Sequence, residues 1–120
     1  MKSVGIDLVE IKEFEKSLKR TAHMLERIFE SSELERHSSI ENLAGWFAAK
    51  EAVMKAIWSL KDIKVDWHDV IISHGSRGQP FARLSDSLIE RLGGNGPSIL
   101  SVSISHTSSF ATAFAFISFE

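Results

Sequence analysis

The sequence contains no cysteine, which excludes disulfide frameworks, zinc ribbons, thiol catalysis and cysteine-ligated iron–sulfur clusters. It lacks an excess of either charge: 14 Lys and Arg stand against 16 Asp and Glu, a net charge of −2. A general nucleic-acid binder usually shows a strong basic excess. No apolar run is long enough to span a bilayer. The opening MKSVGIDLVEIK reaches Asp7 and Glu10 too early for a secretory apolar core. Walker A, G-x-G-x-x-G and G-x-S-x-G signatures are all absent, which removes the usual nucleotide-binding loops and the esterase elbow. What remains, at 120 residues and 43% hydrophobic content, is one soluble domain over residues 1–120, expected in the cytoplasm, with no membrane and no nucleic-acid partner.

Hydrophobic periodicity supplies the elements. Val4, Ile6 and Leu8 alternate with Gly5 and Asp7, a short strand. From Ile11 the period becomes helical, with Phe14, Leu18, Ala22 and Leu25 on one face and Lys12, Lys16, Lys19, Arg20, His23 and Arg27 opposite, provided the helix runs unbroken through Thr21. Such a stripe is either an ordinary solvated face or a dock for an acidic partner. Ser32 to Glu35 reads as a capping box opening a short helix. A long helix is expected from about Ile40 to Leu60. Asp69 to Ser73 and Phe81 to Leu84 read as strands around a Gly75–Gly78 turn, with Pro80 at a strand start or edge because it has no amide hydrogen to donate. Ser85 to Leu92 reads as a helix stopped by Gly93 and Gly94. Ile99 to Ser105 and Ala111 to Phe119 are the last strands. The class is α+β, with helices mostly in the first half and antiparallel strands in the second.

The long helix is apolar in nearly every direction, as a buried helix is. Its middle nevertheless carries Lys50, Glu51 and Lys55. Phe47, Glu51, Lys55 and Trp58 share about 80° of arc, so a carboxylate sits between two aromatics. Desolvation there is costly unless a cation compensates. Glu51 and Lys55 stand in the favoured order for a structural i, i+4 pair, and Lys50 is expected to reach the surface along its stem. Asp7 shares a strand face with Gly5 and Val9. Two carboxylates on separate elements suit Mg²⁺, which completes its shell with water and phosphate oxygens, and Lys55 beside them suits a phosphate clamp. His106 ends the row Leu100, Val102, Ile104, while Ser101, Ser103, Ser105 and Thr107 form a row of hydroxyls on the other face. His23, His37, His68 and His74 show no ligand spacing.

Three segments combine in order: Gly5-Ile6-Asp7-Leu8-Val9-Glu10-Ile11, Trp46-Phe47-Ala48-Ala49-Lys50-Glu51-Ala52 and Ser103-Ile104-Ser105-His106-Thr107. Together, and with Glu33-Leu34 and Gly78-Gln79-Pro80-Phe81, they resemble the holo-acyl-carrier-protein synthase family of 4′-phosphopantetheinyl transferases over nearly the whole chain. The resemblance implies that family's transferase fold, an antiparallel sheet on a long buried helix. It implies transfer of 4′-phosphopantetheine from coenzyme A to a serine of apo-acyl carrier protein, releasing adenosine 3′,5′-bisphosphate, within fatty acid biosynthesis. It further implies a Mg²⁺-dependent homotrimer with active sites between subunits. By motif, Asp7 and Glu51 would hold the metal, and Lys55 would neutralise phosphate charge. Ser105, His106 and Thr107 would line the coenzyme pocket near the turn Gly78 to Pro80. Glu51, directly or through a metal-bound water, would take the serine proton. The acidic carrier would dock on Lys12, Lys16, Lys19 and Arg20. The chain departs from the family at Glu13, His23 and Trp46, where arginine is common, which touches the docking details rather than the metal site. The competing reading is a non-catalytic trimeric module that binds an acidic partner.

Overall fold

The computed structural model describes residues 1–35 and 39–120. Strand β1 (Lys2–Glu10) runs directly into helix α1 (Ile11–Arg20), followed by α2 (Met24–Ile28), α3 (Ser31–Leu34) and the long α4 (Ile40–Trp58). A 3₁₀ turn (Trp67–Asp69) leads into the hairpin β2 (Val70–His74) and β3 (Pro80–Leu84). Helix α5 (Asp86–Arg91) and strands β4 (Ile99–His106) and β5 (Phe110–Ser118) complete an α+β architecture. No helix among the described residues is long and apolar enough to cross a membrane.

Strand β5 is central in the antiparallel sheet β1-β5-β4, pairing Lys2 with Ser118 through Glu10 with Phe110 on one side and Ile99 with Ser118 through His106 with Ala111 on the other. Its inner face is Ala111, Ala113 and Ala115, all buried. Helix α4 presents Ala48, Ala49, Ala52 and Ala56, also buried. Small side chains on both surfaces let helix and sheet approach closely. Gly5 takes this furthest: a Cβ there would lie 1.9 Å from the Ala52 carbonyl oxygen, so only glycine fits. Asp7 follows Gly5 by two residues and shares its face. Close packing at Gly5 is therefore what holds the Asp7 carboxylate against α4.

The outer face of the sheet is uncovered. Val4, Ile6 and Leu8 are 54, 64 and 66% exposed, and Ile99, Phe110 and Phe114 join them across the sheet. The hydroxyls of Ser101, Ser103 and Ser105 lie on exposed positions of β4, with Ser103 opposite Phe114 and Ser105 opposite Thr112.

Several local expectations are corrected. The first helix breaks after Arg20: Thr21 is extended and His23 is left-handed, with φ 62°. Ile11 and Phe14 are buried by α1, whereas Ala22 lies exposed in the break and adds nothing to hold a continuous helix. Lys12, Lys16, Lys19 and Arg20 thus remain one stripe on α1, separated from His23 and Arg27. The box that opens α3 is centred on Glu30, not Ser32: the Glu30 carboxylate accepts the Glu33 amide, and Glu33 Oε1 accepts the Glu30 amide at 2.7 Å. Asp69 belongs to the 3₁₀ turn rather than to the strand that follows. The hairpin turn closes through Gly75 N to Gln79 O at 2.9 Å, with Gly78 at φ 78° and Pro80 at the start of β3.

Lys50 is the largest correction. Its side chain and that of Glu33 are both 0% exposed, and the two form an ion pair at 2.9 Å. Lys50 Nζ also donates to the carbonyls of Trp67, at 3.0 Å, and Val70, at 2.5 Å, while Glu33 Oε2 accepts the Ile72 amide at 2.9 Å. The lysine faces the β2 side of α4 and finds a complete set of acceptors there, so it has no need of solvent. Burial lowers its affinity for a proton, and Glu33 opposes that shift.

Candidate active site

Phe47, Glu51, Lys55 and Trp58 form the least buried edge of α4, with Lys55 and Trp58 exposed. Phe47 is fixed between Phe14, at 4.9 Å, and Trp67, at 5.1 Å between ring centroids. Trp58 Nε1 donates to Ile63 O at 3.0 Å. One turn after Phe47, Glu51 faces a cleft of about 280 Å³ between β1, α1 and α4, lined by Asp7, Glu10, Glu13, Phe14, Phe47 and Glu51 among others.

Asp7 and Lys55 meet at its edge. Lys55 Nζ lies 3.0 Å from Asp7 Oδ1 and donates to Ile6 O at 3.1 Å. The expected Glu51–Lys55 pair is therefore replaced by Lys55–Asp7, because β1 brings a second carboxylate and a free carbonyl within the lysine's reach. Thr112 Oγ1 donates to the Asp7 backbone carbonyl at 2.8 Å, anchoring the strand where the acid sits. Partial burial raises the affinity of Glu51 for a proton; the Asp7 carboxylate adds to the rise and Lys55 opposes it. Its carboxylate makes no hydrogen bond or ion pair with the described residues. The donor set is thus two hard oxygen ligands on rigid elements. No cluster of three or more ligating side chains is present among the described residues. The two carboxylates themselves suit a Mg²⁺ ion that keeps waters and takes substrate oxygens.

The other residues expected at the site lie elsewhere on the chain. Gly78, Pro80 and His106 line a second cleft of about 180 Å³ with Asn42, Trp46 and Ile104. It shares no lining residue with the first. His106 is exposed at the end of β4. Ser105 points to the opposite, uncovered face, in a shallow groove with Ile6, Thr112 and Phe114. Thr107 closes the β4–β5 turn, its Oγ1 accepting the Ser109 and Phe110 amides at 3.1 Å each. His37 lies outside the described residues. Lys12, Lys16, Lys19 and Arg20 are exposed on α1 but do not line the first cleft; Lys16 lies 3.5 Å from Glu13, which does.

Sequence reasoning passed over Glu10 and Glu13 as cleft residues and missed the role of Glu33. It also missed a clamp at the base of α5. Asp69 pairs with Arg91 at 2.5 Å and accepts from Ser85 Oγ at 2.6 Å. These contacts hold its carboxyl below the ordinary range despite burial, which alone would raise it. The Glu30–Glu33 spacing, a capping signature with acid at both ends, was the available signal for Glu33.

Comparison with known proteins agrees with the motif pattern. The 4′-phosphopantetheinyl transferase superfamily profile matches residues 3–115. A holo-[acyl-carrier-protein] synthase of Sulfurovum is 36% identical over 118 residues, covering 98% of this chain and 97% of that protein. The crystal structure of Helicobacter pylori holo-[acyl-carrier-protein] synthase in complex with coenzyme A superposes with a TM-score of 0.83 at 33% identity, covering 96% of this chain and 99% of that one. The Chronobacterium ammoniagenes synthase–coenzyme A complex gives 0.85 at 27% identity, covering 100% and 98%. Profile, relatives, fold and motifs coincide over almost every residue: the chain belongs to the holo-acyl-carrier-protein synthase family of the 4′-phosphopantetheinyl transferase superfamily.

Proposed function

We propose that this enzyme transfers 4′-phosphopantetheine from coenzyme A to a serine of apo-acyl carrier protein, with Mg²⁺, releasing adenosine 3′,5′-bisphosphate, in the cytoplasm. The observation that carries the reading is the meeting of Asp7, Glu51 and Lys55 in one cleft, in a chain whose relatives are solved with coenzyme A bound. The serine oxygen attacks the phosphorus attached to pantetheine, a new P–O bond forms, and the bond to the leaving phosphate breaks. Phosphoryl transfer of this kind depends on positioning and charge neutralisation more than on covalent catalysis. Asp7 and Glu51 would hold the metal, which supplies charge neutralisation on the pyrophosphate when bound. Lys55 adds a point charge for the same phosphates. Glu51, with its proton affinity raised, is the group nearest the task of accepting the serine proton, directly or through water.

The carrier, acidic in this pathway, would dock on Lys12, Lys16, Lys19 and Arg20, exposed on the helix that supplies Glu13, Phe14 and Ser17 to the cleft. Rising salt would then raise its KM more than that for coenzyme A. The reading includes a homotrimer. Two observations support it: the apolar outer sheet face, which water covers in a lone chain, and the separation of the acidic cleft from the Gly78, Pro80 and His106 cleft. A neighbour's second cleft set against the first would complete the coenzyme pocket.

Asp7→Asn and Glu51→Gln each lower kcat for transfer at least about 100-fold with unchanged melting temperature. Full activity in either variant would remove that residue from the site.

A further inference from the structure

Lys55 is attached to the acidic site in an asymmetric way. Its side chain is 49% exposed, on a flexible stem, whereas that of Asp7 is 14% exposed and lies on the paired strand β1. The ammonium lies against Asp7 Oδ1 at 3.0 Å and Ile6 O at 3.1 Å. Glu51, the other carboxylate, forms no ion pair with the described residues and is held by helix α4. One mobile cation therefore rests on one of two fixed acids, beside the oxygens a divalent ion would use.

We infer that Lys55 is the resident counter-ion of the Asp7–Glu51 pair, and that a divalent cation displaces its ammonium from Asp7, releasing it toward substrate phosphates. This rests on the assignment of Asp7 and Glu51 as metal ligands. A divalent ion on either oxygen of Asp7 would lie within a few ångströms of the ammonium on Oδ1, and like charges that close repel strongly at a protein surface. Lysine is a compact point charge on a rotatable stem, so the swing needs no backbone movement. The coupling is reciprocal. A phosphate that draws Lys55 away frees Asp7 and strengthens cation binding, and the cation strengthens phosphate binding by the same factor. The ion pair thus offsets the Asp7 charge before loading and delivers the lysine only when the metal has arrived.

The test is calorimetric titration of Mg²⁺ into the whole chain, with and without saturating adenosine 3′,5′-bisphosphate, for the native protein, Lys55→Met and Lys55→Arg. Without the bisphosphate, Lys55→Met binds Mg²⁺ at least about five-fold more tightly than the native protein, and Lys55→Arg, which keeps the charge, does not. The bisphosphate raises Mg²⁺ affinity in the native protein by a factor at least about five times larger than in Lys55→Met. Equal Mg²⁺ affinity in native and Met proteins overturns the displacement. So does an equal rise on adding bisphosphate, because the lysine's field alone would leave that rise unchanged. If Mg²⁺ binds none of the three proteins, the ligand assignment fails and the displacement with it.

Discussion

A single buried charge shows how residue-scale physics divides this site. Lys50 and Glu51 are neighbours in sequence, yet one is fully buried and paired while the other faces the cleft. The helical step of about 100° turns Lys50 toward Glu33 and β2, and Glu51 toward Asp7. A sequence shows both charges in an apolar helix, but not which has a partner, because the partners come from β1, α3 and β2. Replacing Lys50 with Met leaves Glu33 buried without its cation and costs about 3–5 kcal/mol of stability, readable as a lower urea midpoint. Glu33→Gln in the same chain recovers part of the loss, because Gln removes the unpaired charge. A Lys50→Met protein as stable as the native one would show that the ion pair contributes nothing to the fold.

Among the elements, the short helices depend on side chains reaching across to the 3₁₀ turn. His68 Nδ1 lies 2.9 Å from Glu30 Oε1, and Nε2 is 2.6 Å from the Glu26 carbonyl oxygen, so one imidazole joins α2, the start of α3 and the turn before β2. Burial lowers its proton affinity, but the Glu30 hydrogen bond, the Glu26 carbonyl and the Glu30 charge together outweigh it, and the net shift is upward. A raised pKa means that the folded state binds the proton more tightly. The added stability is complete below the unfolded value, about 6.5, and disappears as pH rises through the higher folded value. Both groups are near 40% exposed, so the contribution is about 0.5 kcal/mol. Urea unfolding should show the native protein losing that margin as pH rises above about 6.5, and His68→Gln losing none of it; a flat difference would remove the latch. Long elements with strong periodicity were legible: α4, the hairpin turn and β4–β5 fall within a few residues of where the pattern puts them. The break at Thr21 to His23 was not, because apolar spacing continues across it through Ala22 and Leu25. In the fold the chain turns extended at Thr21 and leaves Ala22 exposed, which spacing alone does not show. Asp7 was placed on the correct strand face by alternation alone. Its pairing with Lys55 needed the close approach that Gly5 permits.

For the whole molecule, the question is what covers the outer sheet face and what completes the second cleft. Ile6→Glu places a charge in the centre of that apolar face without touching the α4 side. In the trimer reading it yields a monomer by light scattering and loses transfer activity, while Asp7 and Glu51 remain in place. A monomeric native protein with full activity would exclude subunit-shared sites. Each of these outcomes presumes the reaction itself, and one measurement bears on it most directly. Apo-acyl carrier protein is incubated with this protein, coenzyme A and Mg²⁺, and its intact mass is determined, with a parallel sample containing chelator. The account predicts addition of one phosphopantetheine to the carrier only in the metal-containing sample, together with adenosine 3′,5′-bisphosphate. A carrier of unchanged mass across several apo-carriers, from folded protein, would contradict it.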